Sequence, residues 1–118
     1  MNTNKSTGEE GEELAAAYLQ KKGYTILERN WRHRHWEVDI IASKEKFLYF
    51  FEVKTRRSNR FGNPEESVGR EKMTAMKNVA EEYQYQNPAW KYIQFNVLAI
   101  TMNYGEPIEY FLIEDVYF

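Results

Sequence analysis

Phe47-Leu48-Tyr49-Phe50-Phe51-Glu52-Val53-Lys54 is the segment that most limits what this chain can become. Successive bulky side chains put apolar groups on both faces of an extended strand, so the strand must be covered on both sides for much of its length. That requirement predicts a sheet with helices packed on it. The run ends on Glu52-Val53-Lys54. A carboxylate in so apolar a setting carries a desolvation cost unless a cation or metal offsets it.

A second strand is predicted just upstream, where Val38, Ile40 and Ala42 alternate with Glu37, Asp39 and Ile41 to give one mainly apolar face. The short polar turn Ser43 to Lys46 makes the two strands an antiparallel hairpin. Centring the turn on residues 44–47 sets Ala42 opposite Tyr49, Asp39 opposite Glu52 and Glu37 opposite Lys54. Directly opposed residues have Cβ atoms about 4.5–5.5 Å apart, which lets two carboxylates share one divalent cation. A slip of one residue would destroy the arrangement. A plainer reading stays open beside it, in which Glu52 and Lys54 pair along one face and Asp39 points to water.

The remaining segments supply the covering layers. Thr7-Gly8-Glu9-Glu10 has the capping-box pattern, and Leu14, Ala15, Tyr18 and Leu19 follow at helical spacing until Lys22-Gly23. Tyr24 to Glu28 reads as a short strand, and 56–66, with Gly62 and Pro64, as a loop. Ser67 is the predicted cap of a second helix whose Val68, Met73, Met76, Val79, Ala80 and Tyr83 form an apolar stripe. Tyr92 to Thr101 and Ile108 to Ile113 read as further strands. The expected fold is of the α/β or α+β class: one domain over 1–118, a mixed central sheet flanked by helices.

With 118 residues, 42% of them hydrophobic and 16% aromatic, the chain has material for a core, so disorder is not expected. It has no cysteine, which excludes disulfides and thiolate catalysis. No apolar run approaches the ~18 residues of a membrane helix, and the opening residues lack a signal-peptide pattern, so a soluble cytoplasmic protein is expected. The net charge of −2 hides a partition. Residues 14–35 set Lys21, Lys22, Arg29, Arg32 and Arg34 against Glu28 alone. Residues 54–77 hold Lys54, Arg56, Arg57, Arg60, Arg70, Lys72 and Lys77 against three glutamates. Glu37, Asp39 and Glu52 lie between the two basic stretches. Carboxylates flanked by cations suit a metal-dependent phosphodiesterase, with acid for the metal and base for the phosphates. Alternating charges on a solvated surface are the bland alternative.

Glu37-Val38-Asp39, twelve residues, then Glu52-Val53-Lys54 resembles the D…E-x-K signature of PD-(D/E)-x-K, or restriction-endonuclease-like, nucleases. More narrowly, the chain resembles the YraN-like family of small bacterial proteins over nearly its whole length. The shared residues include Gly11-Glu12-x-x-Ala15, Gly23-Tyr24, Asn30-x-Arg32, 37–42, 51–56, Phe61-Gly62, Ser67-Val68, Lys72 and the strand from Phe95. The resemblance implies an α-β-β-β-α-β core like that of archaeal Holliday-junction resolvases, which act as homodimers. It further implies a nuclease acting on DNA, branched DNA included.

By resemblance Asp39 and Glu52 are ligands of Mg²⁺ or Mn²⁺, with the Val53 carbonyl a third. Lys54 then positions water or stabilises the transition state. Glu12 reaches the metal or orients its water, although acidic residues at a helix N-terminus need no function beyond the macrodipole. Arg32, Arg34, Arg56, Arg57, Arg60 and Lys72 would contact the nucleic-acid backbone. The chain departs from the family pattern at Trp36, where Gly is usual, and at Asn96, where Asp is. A bulky indole there would narrow the site or stack on a base.

Three other readings are distinguishable. A non-catalytic nucleic-acid-binding protein would keep the fold without the cleavage. A protein-interaction subunit would dock a partner through the acidic 103–118 tail. A zinc site would draw on His33, His35, Glu37 and Asp39, which share a face if that stretch is extended.

Overall fold

The computed structural model describes residues 7–57 and 69–116. Helix α1 (Thr7–Lys21) is followed by strands β1 (Thr25–His33), β2 (Trp36–Lys44) and β3 (Phe47–Arg56). Helix α2 (Arg70–Gln86) and strands β4 (Tyr92–Thr101) and β5 (Glu109–Ile113) complete the chain. The strands form one mixed sheet in the order β1-β2-β3-β4-β5. Among the described strands only β3 and β4 run parallel, and α2 lies in the crossover that parallel neighbours require. This is the expected mixed sheet flanked by helices, with β5 the strand read over Ile108 to Ile113.

The aromatic run explains the layering. Phe51 and Val53 of β3 turn to one face, where Ala15, Ala16 and Leu19 of α1 meet Ile40, Leu98 and Ile100. Leu48 and Phe50 turn to the other, against Met73, Met76, Val79 and Tyr83 of α2 with Ile41 and Val97. Both faces of β3 are therefore buried, as its composition demands. Among the described residues no helix is long and apolar enough to cross a membrane.

Two glycines set the position of α1. Gly23, at φ +97°, ends the helix: Tyr24 N donates to Leu19 O at 3.0 Å and Gly23 N to Gln20 O at 3.1 Å, the paired bonds of a Schellman ending. Gly11 permits close approach to the sheet, because a Cβ there would come within 2.9 Å of Thr55 Cβ and closer still to the rest of that side chain.

Several boundaries differ from the sequence expectation. β1 extends through Arg32 and His33, so that only Arg34-His35 turns the chain into β2. Trp31 is the reason. It pairs with Val38 across the hairpin and meets Tyr83 of α2 edge-on at 5.1 Å, and this packing keeps the polar flank extended. Helix α2 starts at Arg70 with Gly69 at its N-cap, while the expected cap Ser67 and stripe residue Val68 lie outside the described residues. Val38 does not share a face with Ile40 and Ala42: it joins the α2 cluster and they join the α1 cluster. Strict alternation therefore breaks at Asp39.

The Gly11–Thr55 contact yields a test. Gly11→Ala overpacks this contact and is expected to lower unfolding free energy by about 1–3 kcal/mol in denaturant titrations. Thr55→Ala in the same chain should recover part of the loss. Unchanged stability in Gly11→Ala would show that α1 does not sit this close.

Candidate active site

The break at Asp39 coincides with the end of a ladder. β2 and β3 pair from Lys44–Phe47 to Ile40–Phe51, in the register expected from the turn, and no further. One step beyond, the Asp39 carboxylate takes over: Val53 N donates to Asp39 Oδ2 at 2.8 Å. A side chain has replaced a backbone acceptor, and the strands part around it. The N–H and C=O of one strand residue point to the same side, so the Val53 carbonyl faces the same gap.

Glu52 belongs to the α2 side of β3, between Phe50 and Lys54, and is only 4% exposed. Lys72, from the first turns of α2, brings Nζ to 3.1 Å from Glu52 Oε2. The contact is an ion pair without hydrogen-bond alignment, and this buried oxygen has no aligned donor. Burial, and then the neighbouring Glu52 carboxylate, push the Asp39 carboxyl up to about 7. Burial opposes the charged form of Lys72, but the Glu52 and Asp39 carboxylates outweigh it and raise its pKa.

Glu12 approaches from α1. Its carboxyl is raised by burial, lowered by a hydrogen bond with Asn30 and raised again by Asp39. Asn30 adopts φ 52°, a left-handed conformation that Asn tolerates better than most residues. Three elements thus send carboxylates toward one gap. Even so, among the described residues no three His, Asp or Glu side chains gather closely enough to chelate a metal by themselves. The oxygen groups bordering the gap are the Asp39 and Glu52 carboxylates and the Val53 carbonyl.

The other predicted residues separate by location. Lys54 is half-buried, two positions beyond Glu52 on β3. Glu37 is engaged elsewhere, accepting from Arg32 Nε at 2.9 Å, so the expected Glu37–Lys54 opposition lies beyond the ladder. Arg34 occupies the exposed β1–β2 turn, and Arg57 Nη2 is 3.7 Å from Glu10. Arg56 closes β3, its carbonyl accepting from Met102 N at 2.8 Å. Arg60 lies outside the described residues.

The zinc alternative fails. His33 Nε2 lies 3.7 Å from Glu82 and stacks toward Trp36, while His35 tilts against the same indole at 4.5 Å. β1 continues through His33 and His35 lies in the turn itself, and among the described residues no three His, Asp or Glu side chains gather to hold a metal. Trp36, His35, Arg70, Glu71 and Thr74 instead line a cleft of about 480 Å³, and Arg70 and Thr74 border a second of about 370 Å³ with Met73 and Lys77. Asn96, fully buried, binds the end of the chain: its Oδ1 accepts from Asp115 N at 2.9 Å and from Gln94 Nε2 at 3.0 Å. The contact between Lys72 and Glu52 was missed from sequence. Its one signal is that Lys72 lies four residues before Met76, on the inward stripe of α2.

In metal-free protein the folded pKa of Asp39, raised from 3.8 to about 7, means that the native state binds more protons than the unfolded chain between those values. Stability should therefore fall as pH rises across that window. Asp39→Asn, whose amide oxygen can still accept from Val53 N, should flatten the decline in denaturant titrations with EDTA. An equal slope in both proteins would contradict this environment for Asp39.

Comparison with known proteins places the chain among relatives. The family described as "Uncharacterised protein family UPF0102" matches residues 11–100. A UPF0102 protein of Syntrophomonas wolfei is 46% identical over 104 residues, spanning 87% of this chain and 90% of its own. One from Flavobacterium psychrophilum is 40% identical over 119 residues, spanning 100% and 98%. Among solved structures, Pyrococcus furiosus SfsA in complex with Ca²⁺ aligns at a TM-score of 0.37 and 15% identity, over 92% of this chain and 62% of that one. The family match and the identities and coverage of the sequence relatives show that this chain belongs to the UPF0102 family, the YraN-like proteins.

Proposed function

We propose that the protein is a metal-dependent nuclease that hydrolyses phosphodiester bonds in DNA, branched DNA included. The observation that carries this reading is the gap at the end of the β2–β3 ladder, where Asp39 and the nearly buried Glu52 meet and one Glu52 oxygen lacks an aligned donor. Buried carboxylates so close together call for a cation. An all-oxygen donor set of Asp39, Glu52 and the Val53 carbonyl fits Mg²⁺ or Mn²⁺ better than a softer metal. When bound, such an ion supplies Lewis acidity and lowers the pKa of water.

The chain's own residues account for the rest. Lys54, on the same strand two positions on, holds the attacking water or the charge that builds on the phosphoryl oxygens. Glu12, its carboxyl raised by burial and tied to Asn30, orients that water from the α1 side. Arg34, Arg56 and Arg57 hold the phosphate backbone, giving affinity that falls with salt and little sequence readout. The cleft beside Trp36 and Arg70 offers an aromatic wall and a cation to an unpaired nucleotide.

The Lys72–Glu52 pair favours a second reading, because it already balances one of the two buried carboxylates without a metal. On that reading the chain binds nucleic acid through the same fold and does not cleave it.

Incubation with branched, single-stranded and duplex DNA in Mg²⁺ or Mn²⁺ separates the two. Cleavage should be lost in Asp39→Ala and Glu52→Ala and fall by about 10²-fold or more in Lys54→Ala. Cleavage that survives both carboxylate substitutions would refute the site. Salt-sensitive DNA binding with no cleavage in either metal would establish the second reading.

A further inference from the structure

We propose that Lys72 is a resident counter-ion, its ammonium standing in at Glu52 for a divalent cation and giving way to one when it binds. This rests on the metal reading of the site given above. Three features of the structure carry it. Lys72 Nζ is 3.1 Å from Glu52 Oε2, yet that oxygen has no aligned hydrogen-bond donor, so the ion pair leaves it open to a better ligand partner. The Glu52 side chain is 5% exposed whereas that of Lys72 is 38% exposed, so the carboxylate is fixed by its burial and the lysine is the partner with room to leave. The second carboxylate is already in place: Asp39, whose Oδ2 accepts from Val53 N at 2.8 Å, neighbours Glu52.

The physical logic is that of a charge that must always be balanced. Two neighbouring carboxylates at the end of an apolar strand would repel each other and destabilise the sheet in the metal-free chain. A helix-borne ammonium keeps the site formed until a cation of higher charge takes its place. Lysine suits this role better than arginine, because a single point charge on a flexible stem leaves more readily than a bidentate guanidinium. Lys72 is thus a positioning residue, acting through Glu52.

Calorimetric titration of Mn²⁺ into the unaltered protein, Lys72→Met and Lys72→Arg tests the exchange. Lys72→Met keeps the apolar stem and removes the competitor, so its Mn²⁺ affinity should rise about tenfold, while Lys72→Arg binds no more tightly than the unaltered chain. A residue that merely supports the fold would give weaker metal binding in Lys72→Met. In the unaltered protein, the Lys72 ammonium signal in nitrogen-detected magnetic resonance should shift on adding Mg²⁺, a readout that needs no variant to fold. Equal Mn²⁺ affinity in the unaltered chain and Lys72→Met overturns the exchange and leaves the metal reading standing. Binding by Lys72→Met alone supports the exchange and removes metal-dependent catalysis from the unaltered protein. Failure of both to bind overturns both.

Discussion

One hydrogen bond organises the functional half of this structure: the Val53 amide donates to Asp39 Oδ2 rather than to the backbone of β2. It ends the ladder after Ile40–Phe51 and sends Val38 and Ile40 to opposite faces, leaving a gap in the middle of the sheet. The hairpin turn fixes its register. The double-faced burial of β3 holds its far side rigid, and α1 seats against Thr55 through Gly11 close to the gap. Without this bond Glu52, Val53 and Asp39 would be ordinary strand residues.

The electrostatic consequence is a concentration of negative charge where a sheet is normally driest. Glu12, Asp39 and Glu52 come from α1, β2 and β3, and burial pushes both Glu12 and Asp39 toward their neutral forms, helped at Glu12 by Asp39 and at Asp39 by Glu52. Lys72 from α2 meets this charge from the opposite face. The overall charge of −2 says nothing of such local opposition. Arg32 with Glu37 and Arg57 with Glu10 show why a count of cations overstates the free basic surface: both are partly engaged nearby. Exposed pairs of this kind contribute little to stability, and a phosphate can compete for them.

Much of this was legible in the residues. The aromatic run foretold a strand covered on both sides, the turn at 44–47 gave the hairpin register, and β4 runs over the predicted Tyr92 to Thr101. The D…E-x-K pattern marked the residues that the ladder's end brings together. What stayed hidden depended on contacts distant in sequence. Arg32 and His33 look like loop residues until Trp31 is seen to pack on Tyr83, which extends β1 and pulls the histidines from any zinc site. The break in alternation at Asp39 is invisible in a pattern of apolar and polar positions, because it arises from a carboxylate replacing a backbone acceptor. Lys72 looked like one more surface cation because its partner lies twenty residues earlier, on another element.

On the proposed function, the gap holds a divalent cation. The most direct measurement is a crystal structure of the protein soaked in Mn²⁺, with anomalous scattering used to locate the ion. A peak is expected between the Asp39 and Glu52 carboxylates and the Val53 carbonyl, with Lys72 Nζ withdrawn from Glu52. A protein saturated with Mn²⁺ elsewhere, with the Lys72–Glu52 pair intact and no peak in the gap, would contradict it.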